Sequence, residues 1–218
     1  MKKPNLTIND IAKELNVSKS TVSRALRDAH DVNPETKKRI QEFPQKHDYH
    51  PDFLAKSLRS RSTKTIGVII PAYNIPFYSI AICGIQDYAM KMGYNVMVCH
   101  SNEQYETEIK NVDALLAANV EGIIISVARD TKNNEHIKKL QRKGIPLVLF
   151  NRVIENFKAA KVVVNDYYGA FNMVDYLVNT GCKKIAHISG PNNLLLSNNR
   201  QEGYFDALKK AGIEPVEN

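Results

Sequence analysis

The sequence predicts an α/β protein: an all-α helix-turn-helix headpiece followed by a parallel, doubly wound sheet whose second lobe is incomplete. Three observations carry this. The first 65 residues contain short helical patterns and no strand-like run. From Thr65 onward, β-branched runs of five or six residues alternate with longer amphipathic stretches. The charge divides at the same place: residues 1–65 carry 14 Lys+Arg against 8 Asp+Glu, whereas residues 66–218 carry 16 against 15. A basic module on a neutral body points to a polyanionic partner for the module.

In the headpiece, Thr7-Ile8-Asn9-Asp10 fits a capping box, with Asp10 reaching back to Thr7. Ile11, Ala12 and Leu15 make a short apolar face, and Asn16-Val17 closes the turn. Ser18 is a second N-cap, with Val22, Ala25 and Leu26 at helical spacing behind it. Asn33-Pro34-Glu35 opens a third helix, proline in the first helical position and glutamate near the positive end of the dipole. Pro44 falls inside that helix, where it is expected to kink the helix or end it near Phe43. Residues 51–65, PDFLAKSLRSRSTKT, form a basic, Ser/Thr-rich joint. It is too short to be stably helical alone but able to fold on meeting a partner.

The body reads as strands at 66–70, 95–99, 122–126, 146–150, 161–165 and 184–189. Phe77, Ala81, Ile85, Ala89 and Met92 form one helix face between them, and Ala170, Phe171, Val174, Leu177 and Val178 another. Ligands of such sheets sit at the carboxyl ends of the strands. Here those ends carry small or hydrogen-bonding residues: Tyr73-Asn74, His100-Ser101, Ser126, Asn151-Arg152, Asn165-Asp166 and Ser189-Gly190. That lining suits a polar small molecule.

Composition narrows the function classes. With 218 residues, 43% hydrophobic and 24% charged, the chain is an ordinary globular one. No apolar run reaches the roughly 18 residues of a membrane span, and the N-terminus has no secretory core, so no membrane partner is expected. Cys83, Cys99 and Cys182 lack disulfide or metal-ligand spacing. They are expected to be reduced, buried thiols of a cytoplasmic protein, with no metal and no cofactor.

The second helix carries the strongest chemical signal. Burying Val22, Ala25 and Leu26 leaves Lys19, Ser20, Ser23 and Arg24 outside, at the end of the helix that enters a major groove. Arg24 can pair bidentately with guanine, and Lys19 and Ser20 can reach neighbouring bases. Thr7, Ser18 and Ser23 are placed for phosphates. With Thr21, these form the DNA-binding set.

VSKSTVSRAL in its TINDIAKELN context, then YHPDFLAKSLRSRSTKTIGVIIP, resembles the LacI/GalR family of bacterial transcriptional repressors. The similarity continues through PFYSIAICGIQDYAMKMGYNV, VEGIIIS, GIPLVLFNR, VVVNDYYGA, KKIAHISGP and RQEGYFDALKKAGI. The resemblance implies a homodimer reading a palindromic double-stranded operator, and a periplasmic-binding-protein-like domain for a small effector, by default a sugar. It implies four regions: headpiece 1–50, hinge 51–65, first lobe 66–165 and the start of a second lobe, 166–218, with the rest of that lobe absent. Leu58 falls where the family's hinge leucine wedges into the minor groove, with Arg59 beside it. For the effector, Asn74 and Phe77 match the loop after the first strand, and Arg200 matches a ligand-contacting arginine. Ser126, Asn151 and Asp166 lie at strand ends expected to face the same crevice.

An α/β enzyme with an accessory DNA-binding head is the alternative. The turn after the first strand lacks a GxGxxG fingerprint and a P-loop, and neither His100 nor His187 has an evident nucleophile partner. The basic headpiece and the absence of a signal segment exclude an extracytoplasmic sugar-binding protein.

Overall fold

The computed structural model describes residues 7–26, 28–46 and 62–215. The chain forms two compact units, Met1–Thr63 and Lys64–Asn218.

The first unit is built of α1 (Ile8–Glu14), α2 (Lys19–Ala25) and α3 (Pro34–Lys46). The capping box forms as read: Thr7 Oγ1 accepts the Asp10 N–H at 3.3 Å, and Asp10 Oδ2 accepts the Thr7 N–H at 2.9 Å. Asn16, in left-handed conformation at φ 52°, turns the chain, and the Val17 N–H closes on the Ala12 carbonyl at 2.9 Å. Ser18 Oγ then accepts the Thr21 N–H at 3.0 Å, and Asn33 Oδ1 accepts those of Glu35 and Thr36. Ile11, Val22, Ala25 and Ile40 are fully buried in one cluster, with Leu15, Leu26 and Phe43 packed against it. Each such aliphatic side chain contributes about 1.5–3 kcal/mol by leaving water, so this small core depends on every member.

Of the two outcomes expected of Pro44, termination does not occur. The third helix does not stop near Phe43 but runs through Pro44 to Lys46. Pro44 lies in the final turn, so the hydrogen bond it removes is one of the last in the ladder and little helix follows it. Residues 51–61 of the joint, with Leu58 and Arg59, lie outside the described residues.

The second unit holds five parallel strands in the order β2-β1-β3-β4-β5. They are β1 (Thr65–Ile70), β2 (Asn95–His100), β3 (Gly122–Ile125), β4 (Leu147–Phe150) and β5 (Ala160–Val162). The helices are α4 (Pro76–Lys91), α5 (Tyr105–Ala117), α6 (Glu135–Arg142), α7 (Asp166–Asn179) and α8 (Leu195–Lys210). Strand alternation splits the core by face. Val68 and Ile70 pack with Tyr78, Ile82 and Phe150 under α4. Ile69, Ile123, Ile125 and Leu149 pack with Val112, Leu115, Ile137 and Leu140 under α5 and α6. Gly67 matters for that second face: a Cβ there would come within 2.6 Å of Leu115 Cδ1, so the absent side chain lets α5 settle on β1.

The expected face of α4 is met in part: Ala89 is buried and Ala81 and Ile85 pack against the core. Tyr78, Ile82 and Ala89 are buried, whereas Phe77 and Met92 are 48% and 59% exposed. The fifth strand ends at Val162 rather than Val164–Asn165, because it is the sheet edge and pairs only with β4. Residues 184–189 form no strand. They have no strand partner among the described residues; Ile185 packs against α7 and α8, and Ile188 is 97% exposed. Expected burial of the cysteines also fails for two of three: Cys83 and Cys182 are exposed. Only Cys99, inside β2, is part-buried, and burial raises its thiol above the usual range.

Helices α7 and α8 pack on each other through Val174, Tyr204, Ala207 and Leu208. Gly203 sits at the crossing, where a Cβ would collide with the Tyr167 carbonyl oxygen. Tyr204 Oη donates to the Ile185 carbonyl at 2.8 Å, and the His187 ring stacks on Tyr204 at 5.1 Å. Among the described residues no helix is long and apolar enough to cross a membrane, and no group of three or more His, Cys, Asp or Glu is placed to hold a metal ion.

Candidate functional site

In the headpiece, burying Val22 and Ala25 turns Lys19, Ser20 and Arg24 to solvent on one side of α2. The N-terminal end of the helix is tied by hydroxyls: Ser18 Oγ lies 2.7 Å from Ser20 Oγ and 2.8 Å from Thr21 Oγ1. Ser23 and Thr21 are half-buried. Thr7 is exposed at the start of α1, its hydroxyl donating to Asp10 at 2.6 Å. That donation and the Thr7 N–H hold the Asp10 carboxyl below its usual range. Arg24 is not free: its Nη1 donates to Asp31 Oδ2 at 2.8 Å, both side chains 46% exposed. Chemically this face offers Lys19 and several hydroxyls at the positive end of the helix and Arg24 in its last turn, a set suited to base edges and phosphates.

In the second unit, the six expected effector residues fall into separate groups. Ser126 and Asn151 are joined through Tyr78. Its hydroxyl lies 3.1 Å from Ser126 Oγ and accepts from Asn151 Nδ2 at 2.9 Å. Ser126 is fully buried and also accepts the Arg152 N–H at 3.4 Å, so its hydroxyl supports the strand ends instead of facing a crevice. Phe77 meets the Tyr78 ring edge-on at 5.3 Å and presents its other side to solvent. Asn74 is exposed in the preceding turn. Asp166, nearly buried in the first turn of α7, accepts from Arg200 Nε at 2.7 Å, while Arg200 stays half-exposed. An arginine fork beside a carboxylate can donate to and accept from neighbouring hydroxyls, and an exposed phenyl ring can cover an apolar face.

A cleft of about 330 Å³ opens nearby, between the loop after β3, the segment 153–155 and the start of α8. Its floor includes Val127, Ala128, Ile154 and Leu194, and Arg129, Lys132, Asn193 and Asn198 are among its polar lining. None of the six expected residues lines it. Its wall is instead held by residues that sequence reasoning did not single out. Glu108, fully buried on α5, accepts the Ala128 N–H at 2.6 Å and the Thr131 hydroxyl at 2.9 Å, and lies 2.8 Å from His136 Nε2. Glu103 accepts the Arg129 N–H at 2.8 Å and the Arg152 guanidinium at 2.7 Å. A glutamate on an amphipathic helix reads as a solvated face, so no signal in the sequence marked Glu108. Tyr78 could have been found from its place directly after Phe77.

Residues 63–218 match the profile of periplasmic binding proteins and the sugar-binding domain of the LacI family, and residues 7–52 that of bacterial regulatory proteins of the lacI family. The chain belongs to the LacI family. It is 32% identical over 210 residues to catabolite control protein A of Priestia megaterium, covering 96% of this chain and 63% of that protein. To the ribose operon repressor of Halalkalibacterium halodurans it is 30% identical, covering 96% of this chain and 62% of that protein. Among solved structures it resembles the lac repressor dimer bound to operator and the anti-inducer ONPF. The TM-score is 0.85 at 23% identity, over 98% of this chain and 64% of that one. The family fold thus extends over the headpiece and the sheet. The chain spans a little over three fifths of the length of these relatives.

Proposed function

We propose that this protein is a sequence-specific DNA-binding transcriptional regulator, a repressor that binds a palindromic operator as a homodimer under control of a small effector. The observation that carries it is the solvent face of α2, where Lys19, Ser20 and Arg24 stand clear of a core that fixes the helix against α1 and α3. In this reading Arg24, Lys19 and Ser20 read bases, while Thr7, Ser18, Thr21 and Ser23 hold phosphates. Leu58 and Arg59 act from the hinge in the minor groove. The chain is divided as headpiece 1–50, hinge 51–65, first lobe 66–165 and second-lobe start 166–218. It works in the cytoplasm, where its DNA partner is, and by binding, not catalysis; the repressor names of several relatives support this.

For dimerisation, the outer side of α4 and the edge strand β2 supply an apolar surface. Ile80, Tyr88 and Met90 are each about 70% exposed, and Met97 joins them on β2. For the effector, a carbohydrate fits the sugar-binding description of the family; the exposed Phe77 ring and, in a separate group, the Asp166–Arg200 fork offer the apolar and the hydrogen-bonding chemistry it needs. Asn74 and Asn151 add amide groups at the strand ends, and Ser126 supports Asn151 through the Tyr78 hydroxyl. Effector binding changes DNA affinity through a coupling of about 1–3 kcal/mol.

The experiment is a selection of the full chain on a pool of random duplex DNA. Recovery of a palindrome with half-sites about one helical turn apart is expected. Arg24→Ala should erase preference at one position of each half-site and leave the others. Binding with no enriched sequence, vanishing as salt rises, would overturn the reading.

A further inference from the structure

We propose that Asp31 sets the specificity of the recognition helix by occupying the Arg24 guanidinium, which makes Arg24 a reader of bases and a poor clamp for phosphate. This rests on the DNA-binding function proposed above.

The contact is built by the fold. Asp31 lies in the turn between α2 and α3, and that turn is fastened on both sides. The Ala29 N–H closes on the Arg24 carbonyl at 3.1 Å, capping the end of α2. Asp28, in left-handed conformation at φ 60°, is held by Lys37 of α3, whose Nζ lies 2.6 Å from its carboxylate and 3.1 Å from its carbonyl. Gln41, one turn further along α3, donates to the Ala25 carbonyl at 3.2 Å and reaches the Asp28 carboxylate at 3.4 Å. Val32, the residue after Asp31, is buried in the headpiece core. The backbone that carries Asp31 is therefore tied to the same core as α2, and its carboxylate meets Arg24 at 2.8 Å.

The consequence is electrostatic. A guanidinium on a recognition helix has two kinds of acceptor within reach of a duplex: the neutral O6/N7 edge of guanine and the charged oxygens of the backbone. A carboxylate fixed beside the cation offsets its charge, so its attraction for phosphate, which is the same at every sequence, falls. The contact uses one of the five guanidinium N–H donors, so the planar fork can still be offered to a base edge, whose reward comes from geometry and not from net charge. Holding the side chain in one place also lessens the freedom Arg24 loses on docking. Asp31 thus lowers sequence-independent binding and raises discrimination at the base pair that Arg24 reads.

The test uses the full chain with three probes: the duplex recovered by selection, that duplex with the Arg24-dependent base pair changed, and a scrambled duplex of the same composition. Asp31→Asn, nearly isosteric and at the surface, should bind the scrambled duplex several-fold more tightly at low salt. Its slope of log affinity against log salt should steepen by about one phosphate contact. Its preference for the correct base pair should fall at least five-fold. Asp31→Glu, which keeps the charge, should restore most of the preference, and none of these effects should occur in the Arg24→Ala background. Unchanged base preference and salt slope in Asp31→Asn, or equal changes with Arg24 absent, would overturn the inference while leaving the regulator reading intact. Failure of the wild-type chain to recover any duplex would overturn that reading and this inference with it.

Discussion

The β1–β5 lobe and the segment from α7 to the end of α8 begin from the same signal, a β-branched run next to an amphipathic helix, and come to different ends. In the lobe, β1, β3 and β4 each have a parallel neighbour on both sides, and their side chains fill two apolar layers. In the later segment, α7 and α8 pack firmly, but KIAHIS at 184–189 lies unpaired with Ile188 in solvent. The difference lies in where backbone hydrogen bonds close. A helix satisfies its own ladder and needs only one apolar face covered. A strand borrows its partners from a neighbouring strand. Periodicity in the sequence records which residues prefer a strand, whereas strand formation also requires another strand beside it.

Core truncations should separate the two regions most sharply. Leu149→Ala, fully buried in β4, should cost about 2–5 kcal/mol in chemical denaturation, while Ile188→Ser should stay within about 0.5 kcal/mol. A similar loss for both would mean that residues 184–189 are as well packed as the sheet. Glu108→Ala should come next, at about 3 kcal/mol, because it strands the Ala128 N–H, the Thr131 hydroxyl and His136 at once. The loss should unfasten the loop after β3, read as new proteolytic cleavage between 127 and 134.

The helix pair gives a test with opposite signs. Gly203→Ala should force α8 away from α7 and destabilise the pair by about 1–3 kcal/mol, since the methyl meets backbone that cannot yield. Gly169→Ala, within α7 with open space around it, should stabilise by about 0.5–1 kcal/mol through helix propensity alone. The smallest effect is in the headpiece. Asp10 is held below its usual value by Thr7, so its contribution is present above about pH 4, the ordinary carboxylate value, and fades as pH falls through its lower folded value. Asp10→Asn should remove that acid dependence from a melting curve of the headpiece followed between pH 2 and 5.

How far the sequence could be read follows from the same physics. Thr7, Ser18 and Asn33 were legible as caps because their hydrogen bonds reach only two or three residues along the chain. The strands that became β1, β3 and β4 were legible because both their faces are covered, which writes continuous apolar runs. On α4 the expected Ala81, Ile85 and Ala89 do turn inward, but Tyr78 takes the place expected of Phe77, because its hydroxyl is bonded to Ser126 and Asn151 on distant strands. Links of long separation stayed hidden: Glu108 to Ala128, and Tyr78 to Asn151, join elements whose adjacency exists only after the sheet forms. The Arg24–Asp31 pair lies between these extremes, seven residues apart, but its meeting depends on a turn fixed by Lys37 and Gln41.

Hydrogen exchange resolved along the chain tests the central contrast most directly. Amides of β1, β3 and β4 should exchange only on global unfolding of the lobe, those of α7 and α8 should be protected to an intermediate degree, and residues 184–189 should exchange at close to the rate of an unstructured peptide. Protection of 184–189 equal to that of β3 would contradict that contrast, because such protection requires a strand partner that the structure does not provide.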